Sequence, residues 1–234
     1  MAAPVVESAA SAGTSDNALV IPKPTGTAAG DLLLAVVCCV ANHTFSSSPS
    51  GWTLIGSEVV VSSSSTYIRV RRMYKVAGAS EGTDYTWGTS GWVDSCGAIL
   101  RISGQHATTW DDGYSGDTGD LTSAAVTTTV ADTLLVYWAA GRSSTGSAIT
   151  YTPPSGMTEQ ADVASGRWYG DPSASVELAT KVQASAGSTG TFAATASGTV
   201  TGAAGLFAIA PAAGGGGGTA VPVFVHHLRQ QGIA

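Results

Sequence analysis

Charge is what this chain has least of. Only 11% of its 234 residues are Asp, Glu, Lys or Arg, against roughly a quarter in ordinary soluble domains. Ten of these are Lys or Arg and sixteen Asp or Glu, giving a net charge of -6. The basic residues are scattered, so no stripe exists to neutralise a phosphate backbone, and nucleic-acid binding is excluded. Cysteine is also scarce, with three residues in all, too few for a disulfide framework. Cys38 and Cys39 are neighbours on a strand and point to opposite faces, which argues against their pairing; Cys96 is in principle within reach of one of them. The reading adopted is three reduced, buried thiols serving as small apolar residues.

Catalytic signatures are missing too. There is no Gly-x-Ser-x-Gly elbow, phosphate loop, Cys-x-x-Cys pair or zinc spacing. Of the four histidines, His43 and His106 stand alone in Ser/Thr-rich loops, while His226 and His227 are adjacent and face opposite ways, the wrong geometry for one metal. No apolar run approaches the roughly twenty residues of a membrane span. The opening Met1-Ala2-Ala3-Pro4-Val5-Val6-Glu7 has neither the basic start nor the apolar core of a signal peptide. These absences predict a protein made and assembled in a reducing cytoplasm, without cofactor or membrane. Amphipathic helical periodicity is absent as well, so helix is expected to be nearly absent.

What is present is an internal echo. Pro49-Ser50-Gly51-Trp52-Thr53 recurs as Pro154-Ser155-Gly156-Met157-Thr158. Each copy follows an Asp-led apolar run, Asp31 to Val37 and Asp132 to Tyr137, and precedes a strand ending in Lys-Val, at Lys75-Val76 and Lys181-Val182. Each half closes on a small-residue strand, Gly97 to Ile102 and Ala204 to Ile209. Two repeats are too few for a solenoid, whereas two multi-strand units facing each other make a sandwich. Tyr67 to Val76 alternates with period two, and the Asp-led runs are nearly continuous in apolar residues, as for strands covered on both faces. The expected fold is all-β, a jelly-roll-like β-sandwich of two similar Greek-key halves. The sandwich would span residues 1–211, its halves lying at about 18–104 and 124–211. Trp52 and Trp138, inside the repeat strands, are assigned to the core.

Past Pro211 the pattern gives way to a glycine-rich linker at 212–220, with glycine at every position from 214 to 218, and then a segment at 221–234. The linker would behave as a flexible coil of about 18 Å root-mean-square span. In the segment, Val221, Val223 and Val225 would share one strand face, with Phe224 and His226 on the other and Leu228 beyond. An apolar segment on a glycine hinge is an aggregation hazard unless covered. The reading preferred is docking on a neighbouring subunit, by strand addition to a sheet edge, with these six residues as the anchor.

Two other features carry weaker chemistry. The densest acidic stretch, Asp111 to Asp120, sits in the connector between the halves. Its spacing lacks the EF-hand pattern and its closing Glu, so a solvated loop is preferred over a calcium site. Asp111 and Asp117 as a glycosidase pair rank lower still, because a loop would not fix their separation. The aromatics Trp87, Trp92, Trp110, Tyr114, Trp168 and Tyr169 are read at strand ends or in loops, where rings could stack on sugars or on a partner; plugging the ends of the core is the alternative.

With these blocks in hand, the chain resembles a family of jelly-roll or β-sandwich virion proteins of tailed bacteriophages, especially those of actinobacterial hosts, described as minor tail or head-decorating proteins. The resemblance is carried by Ile21 to Ala35, Pro49 to Thr53 and Gly97 to Leu100 and covers roughly residues 4 to 211; His227 to Gly232 also looks like tails of such proteins. The resemblance implies a structural, non-enzymatic role in the virion, with capsid or tail subunits as partners, copies of the chain associating in the assembly, and no catalytic residues or cofactor. The alternatives are a carbohydrate-binding adsorption module for host surface glycans and, last, a glycan hydrolase.

Overall fold

The computed structural model describes residues 2–40, 43–63, 66–115, 121–143, 147–166 and 173–212, with side chains at 63, 66 and 107–115 left aside. No helix occurs among them. The first half supplies β1 (Val5–Thr14), β2 (Ala18–Pro22), β3 (Leu32–Val40), β4 (Thr53–Leu54), β5 (Val59–Ser63), β6 (Thr66–Val76), β7 (Asp84–Gly88) and β8 (Ser95–Ser103). The second supplies β9 (Gln105–Ser115), β10 (Thr127–Thr128), β11 (Thr133–Ser143), β12 (Tyr151–Thr152), β13 (Thr158–Ala164), β14 (Ala174–Gln183), β15 (Gly187–Ser188), β16 (Thr195–Ala196) and β17 (Val200–Pro211). One sheet has the order β1-β8-β3-β6-β4, with β5 also on β6, and the other the order β13-β14-β11-β17-β9. Three short antiparallel pairs, β2-β7, β10-β15 and β12-β16, complete the set. The chain is therefore an all-β, antiparallel sandwich.

The central strands explain the packing. β3 is buried at every position and β11 at every position but Arg142, the pattern of strands covered on both faces. Alternation sends Leu32, Leu34, Val36 and Cys38 toward the opposite sheet, where the Cys38 thiol donates to the Ser175 carbonyl. From the other side Val136, Trp138, Val176, Leu178 and Phe207 enter the same core. The outer face of the first sheet is roofed by the β2-β7 pair, whose Leu19, Ile21, Tyr85 and Trp87 are buried. The outer face of the second sheet carries its own cluster, in which Leu121, Val126, Ile149, Tyr151 and Met157 lie with Leu135, Tyr137 and Leu206. The Tyr137 hydroxyl is satisfied there, donating to the Leu121 carbonyl and accepting from the Ala194 N–H.

The echo maps onto equivalent strands. β3 pairs with β6 and β8 as β11 pairs with β14 and β17. The edge strands extend the correspondence, since β1 pairs with β8 as β9 pairs with β17. Each half therefore begins at its own edge strand, at Val5 and Gln105, earlier than the sequence reading placed it. The main strands of each half lie in one sheet, and the short pairs β2-β7, β10-β15 and β12-β16 stand outside the two main sheets. In one detail the alignment shifts: Leu33 pairs with Lys75 as Leu135 pairs with Lys181, so Asp31 corresponds to Thr133 and Gly30 to Asp132. Gly30 and Asp132 both have positive φ, 91° and 59°, a conformation that Asp tolerates better than most residues.

The Pro-Ser-Gly turn is the same in both halves. Trp52 N–H donates to the Pro49 carbonyl at 3.4 Å and Met157 N–H to that of Pro154 at 3.0 Å. Gly51 and Gly156 occupy the third position with φ of 80° and 78°, as a type II turn requires. Gly51→Ala and Gly156→Ala are each expected to cost about 1–2 kcal/mol, the strain of a Cβ in the left-handed region. Urea unfolding of the two variants checks this; a loss in one and none in the other would break the equivalence of the turns.

Candidate functional site

The structure sorts the aromatic candidates by place. Trp87 is fully buried, its Nε1 donating to Met73 Sδ at 3.4 Å and its ring meeting Trp52 edge-on at 5.5 Å. The expectation of a surface contact at Trp87 is thus corrected: it lies mid-strand in β7, and β7 folds with β2 over the sheet instead of ending at its rim. Trp52 and Trp138 are buried as expected. Trp92, in the turn between β7 and β8, is 60% exposed. Trp110 and Tyr114 lie on β9, at positions opposite Ile209 and Gly205. Trp168 and Tyr169 lie outside the described residues, as do the linker and the anchor residues Val221, Val223, Phe224, Val225, His226 and Leu228.

The acidic connector needs a second correction. Asp111 and Asp112 are part of β9, paired with Ala208 and Phe207, not part of a loop. Gly and Asp have poor strand propensity, but the backbone of β17 offers a complete ladder, and an edge strand needs only one neighbour. Asp117 and Asp120 lie outside the described residues. The three cysteines are free and buried, with Cys38 and Cys96 sulfurs 3.6 Å apart. Burial, with Cys38 and Glu58 adding to it, pushes the Cys39 thiol up to about 12, so it stays protonated and unreactive at neutral pH.

Ionic groups pair at several places on the first half, Arg101 with Asp31 at 2.6 Å among them. Glu58 accepts from Arg69 at 3.0 Å and from Arg71 at 2.8 Å. Glu81 takes the Lys75 ammonium at 2.7 Å, the Gly78 N–H at 2.7 Å and the Tyr85 hydroxyl at 3.0 Å. Lys75 thereby lies 5.6 Å from the Tyr85 ring, and in the second half Lys181 lies 6.0 Å from the Phe192 ring.

An acidic cluster lies on the outer face of the second sheet. Glu159, Asp162 and Glu177 each bring an acidic oxygen within 4.8 Å of the others. Asp162 and Glu177 are directly opposed across β13 and β14. Asp162 Oδ2 accepts the Tyr151 N–H at 2.9 Å. Glu177 is wholly buried, and neither of its carboxylate oxygens has a hydrogen-bond donor among the described residues. Burial, reinforced by Glu159 and Asp162, pushes its carboxyl up to about 9. A carboxyl sealed from solvent cannot reach a glycosidic oxygen, so the cluster does not suit the acid-base pair of a hydrolase. Sequence reasoning passed over these residues, although a Glu inside the apolar run Ser175-Val176-Glu177-Leu178-Ala179 was a visible signal.

A shallow groove between Leu121-Thr122 and the 194–200 segment is lined by Ala, Thr, Gly, Leu and Val, with no ionisable side chain. Compared with protein-family models, with curated proteins and with solved structures, the chain matches none.

The Glu81 node gives a pH dependence. Its burial would raise the carboxyl, but the bonds from Lys75, Gly78 and Tyr85 outweigh this and hold it below its ordinary 4.5. A depressed acid stabilises the fold above its unfolded value and loses that contribution as pH falls through the folded one. Stability should therefore drop below about pH 4.5, and Glu81→Gln should flatten that part of the curve while lowering stability at pH 7. Denaturant melts from pH 3 to 7 check this, and an unchanged acid limb in Glu81→Gln would contradict it.

Proposed function

We propose that the protein is a non-enzymatic structural component of a tailed-phage virion, a minor tail or capsid-decoration protein, fastened to neighbouring subunits through the segment at 221–234. The observation that carries the reading is that the sandwich is covered without that segment. Both outer faces of the two sheets are roofed by residues between Leu19 and Phe192, and the inner faces cover each other. An alternating apolar segment behind five glycines, Gly214 to Gly218, therefore has no core of its own to complete, and a neighbour's sheet edge is the surface that suits it. A coat of short Ser, Thr, Gly and Ala side chains fits repeated packing, because ordering them costs less entropy than ordering Lys or Glu. Copies of the chain would associate within the assembly.

Trp92 supports the second reading, a glycan-binding adsorption module, because a 60% exposed indole is a stacking surface for a sugar ring. The two readings separate by mutation. Deleting 221–234 should leave a soluble, folded sandwich that no longer enters particles; incorporation of the truncated chain at wild-type occupancy would overturn the anchor. Trp92→Ala should leave incorporation unchanged, and reduced binding of the variant to host cell-wall glycan would move the adsorption reading to first place.

A further inference from the structure

We infer that Glu159, Asp162 and Glu177 form a divalent-cation site of calcium size that ties the edge strand β13 to β14. The first ground is geometric. Calcium binds oxygen at about 2.3–2.6 Å, so any two of its ligands lie within about 5 Å of each other. The three acidic oxygens meet that condition, lying within 4.8 Å of one another. The second ground is Glu177 itself, a fully buried carboxyl neither of whose oxygens has a hydrogen-bond partner among the described residues and one of which lies in the cluster. A buried carboxyl oxygen without a partner is costly for a fold to carry, and an ion supplies the partner.

The local structure is arranged to converge the three groups. Residues 159 and 162 are three apart and would fall on opposite faces of a regular strand. A bulge between Glu159 and Ala161 inserts one extra residue, Gln160, and restores both acids to the same face. Gln160 is held out of the way, its Nε2 donating to Thr180 Oγ1 at 2.9 Å. Asp162 is oriented from behind by the Tyr151 N–H, and the Tyr151 hydroxyl is fixed at 2.7 Å from Ser175 Oγ. Such outer contacts are what aim ligands in built metal sites.

The first half shows what the position otherwise holds. Val37 pairs with Arg71 where, in the second half, Ala139 pairs with Glu177, so Arg71 and Glu177 are structural equivalents. Arg71 neutralises the neighbouring Glu58 at 2.8 Å. In the second half an acid stands where that arginine would be, opposite Asp162 and beside Glu159. Like charges facing each other across a ladder repel, and a divalent cation takes over the neutralising role of the guanidinium.

The test uses the full chain, freed of metal with EDTA, and CaCl2 alone as the probe. Calcium should raise the melting temperature saturably, by about 5–10 °C at a hundredfold excess over its Kd. Glu177→Gln and Glu159→Gln should each lower calcium affinity at least tenfold. Glu177→Gln keeps the shape of the side chain and should fold; Glu159 is exposed, so Glu159→Gln decides the matter if the other variant does not fold. No shift by about 10 mM CaCl2, the weak end of known protein calcium sites and beyond, would overturn the site. A full wild-type shift retained in Glu159→Gln, or in both variants, would overturn the ligand assignment. An equal response to MgCl2 would overturn the assignment of ion size.

Discussion

Burial of β3 and β11 on both faces is the constraint on which the rest of the structure depends. A strand with no polar face cannot border water, so each sheet needs a cover on its far side as well as the opposing sheet. The two sheets cover each other, and each half then supplies its own roof: the β2-β7 pair with Trp52 and Trp87 on one side, Leu121, Ile149, Tyr151 and Met157 on the other. Even a buried arginine between the sheets serves this packing. Arg72 is 4% exposed, lies 5.5 Å from the Trp138 ring, and donates to the Ile55 and Ser57 carbonyls, so its charge is met by carbonyl dipoles and an aromatic face.

The halves share a frame and differ where charge is handled. In the first, Arg101 holds Asp31 at 2.6 Å and Glu58 is met by two arginines. In the second, Ala208 stands at the place of Arg101, and Glu177 at that of Arg71. The shared parts are the central strands and the Pro-Ser-Gly turns with a lysine beside each glycine, Lys75 near Gly51 and Lys181 near Gly156. Backbone geometry is thus common to both halves, while the electrostatics of each roof are its own.

Much of this frame was legible in the sequence for a physical reason. Continuous apolar runs at Leu32 to Val40 and Leu134 to Ala140 mark strands with no wet face, and a glycine three residues into a repeated turn marks positive φ. What escaped was whatever depends on a neighbour instead of on the residues themselves. β9 is an Asp- and Gly-containing stretch made into a strand by the ladder of β17, and Trp87 was assigned to the rim because the folding-over of β7 leaves no local mark. The acidic trio joins Glu177 to residues 15 and 18 positions earlier, and a single bulge decides that all three share a face. No periodicity in the sequence announces a bulge.

The role proposed rests on a covered sandwich joined by glycines to a segment that its own core does not need. Cryo-electron microscopy of the particle carrying this chain, tracing the path of Val221 to Ala234, tests that most directly. The account predicts repeated copies of the sandwich on head or tail, each with this segment seated on a neighbouring subunit. A segment folded back onto its own sandwich, or purified particles that lack the chain altogether, would contradict it.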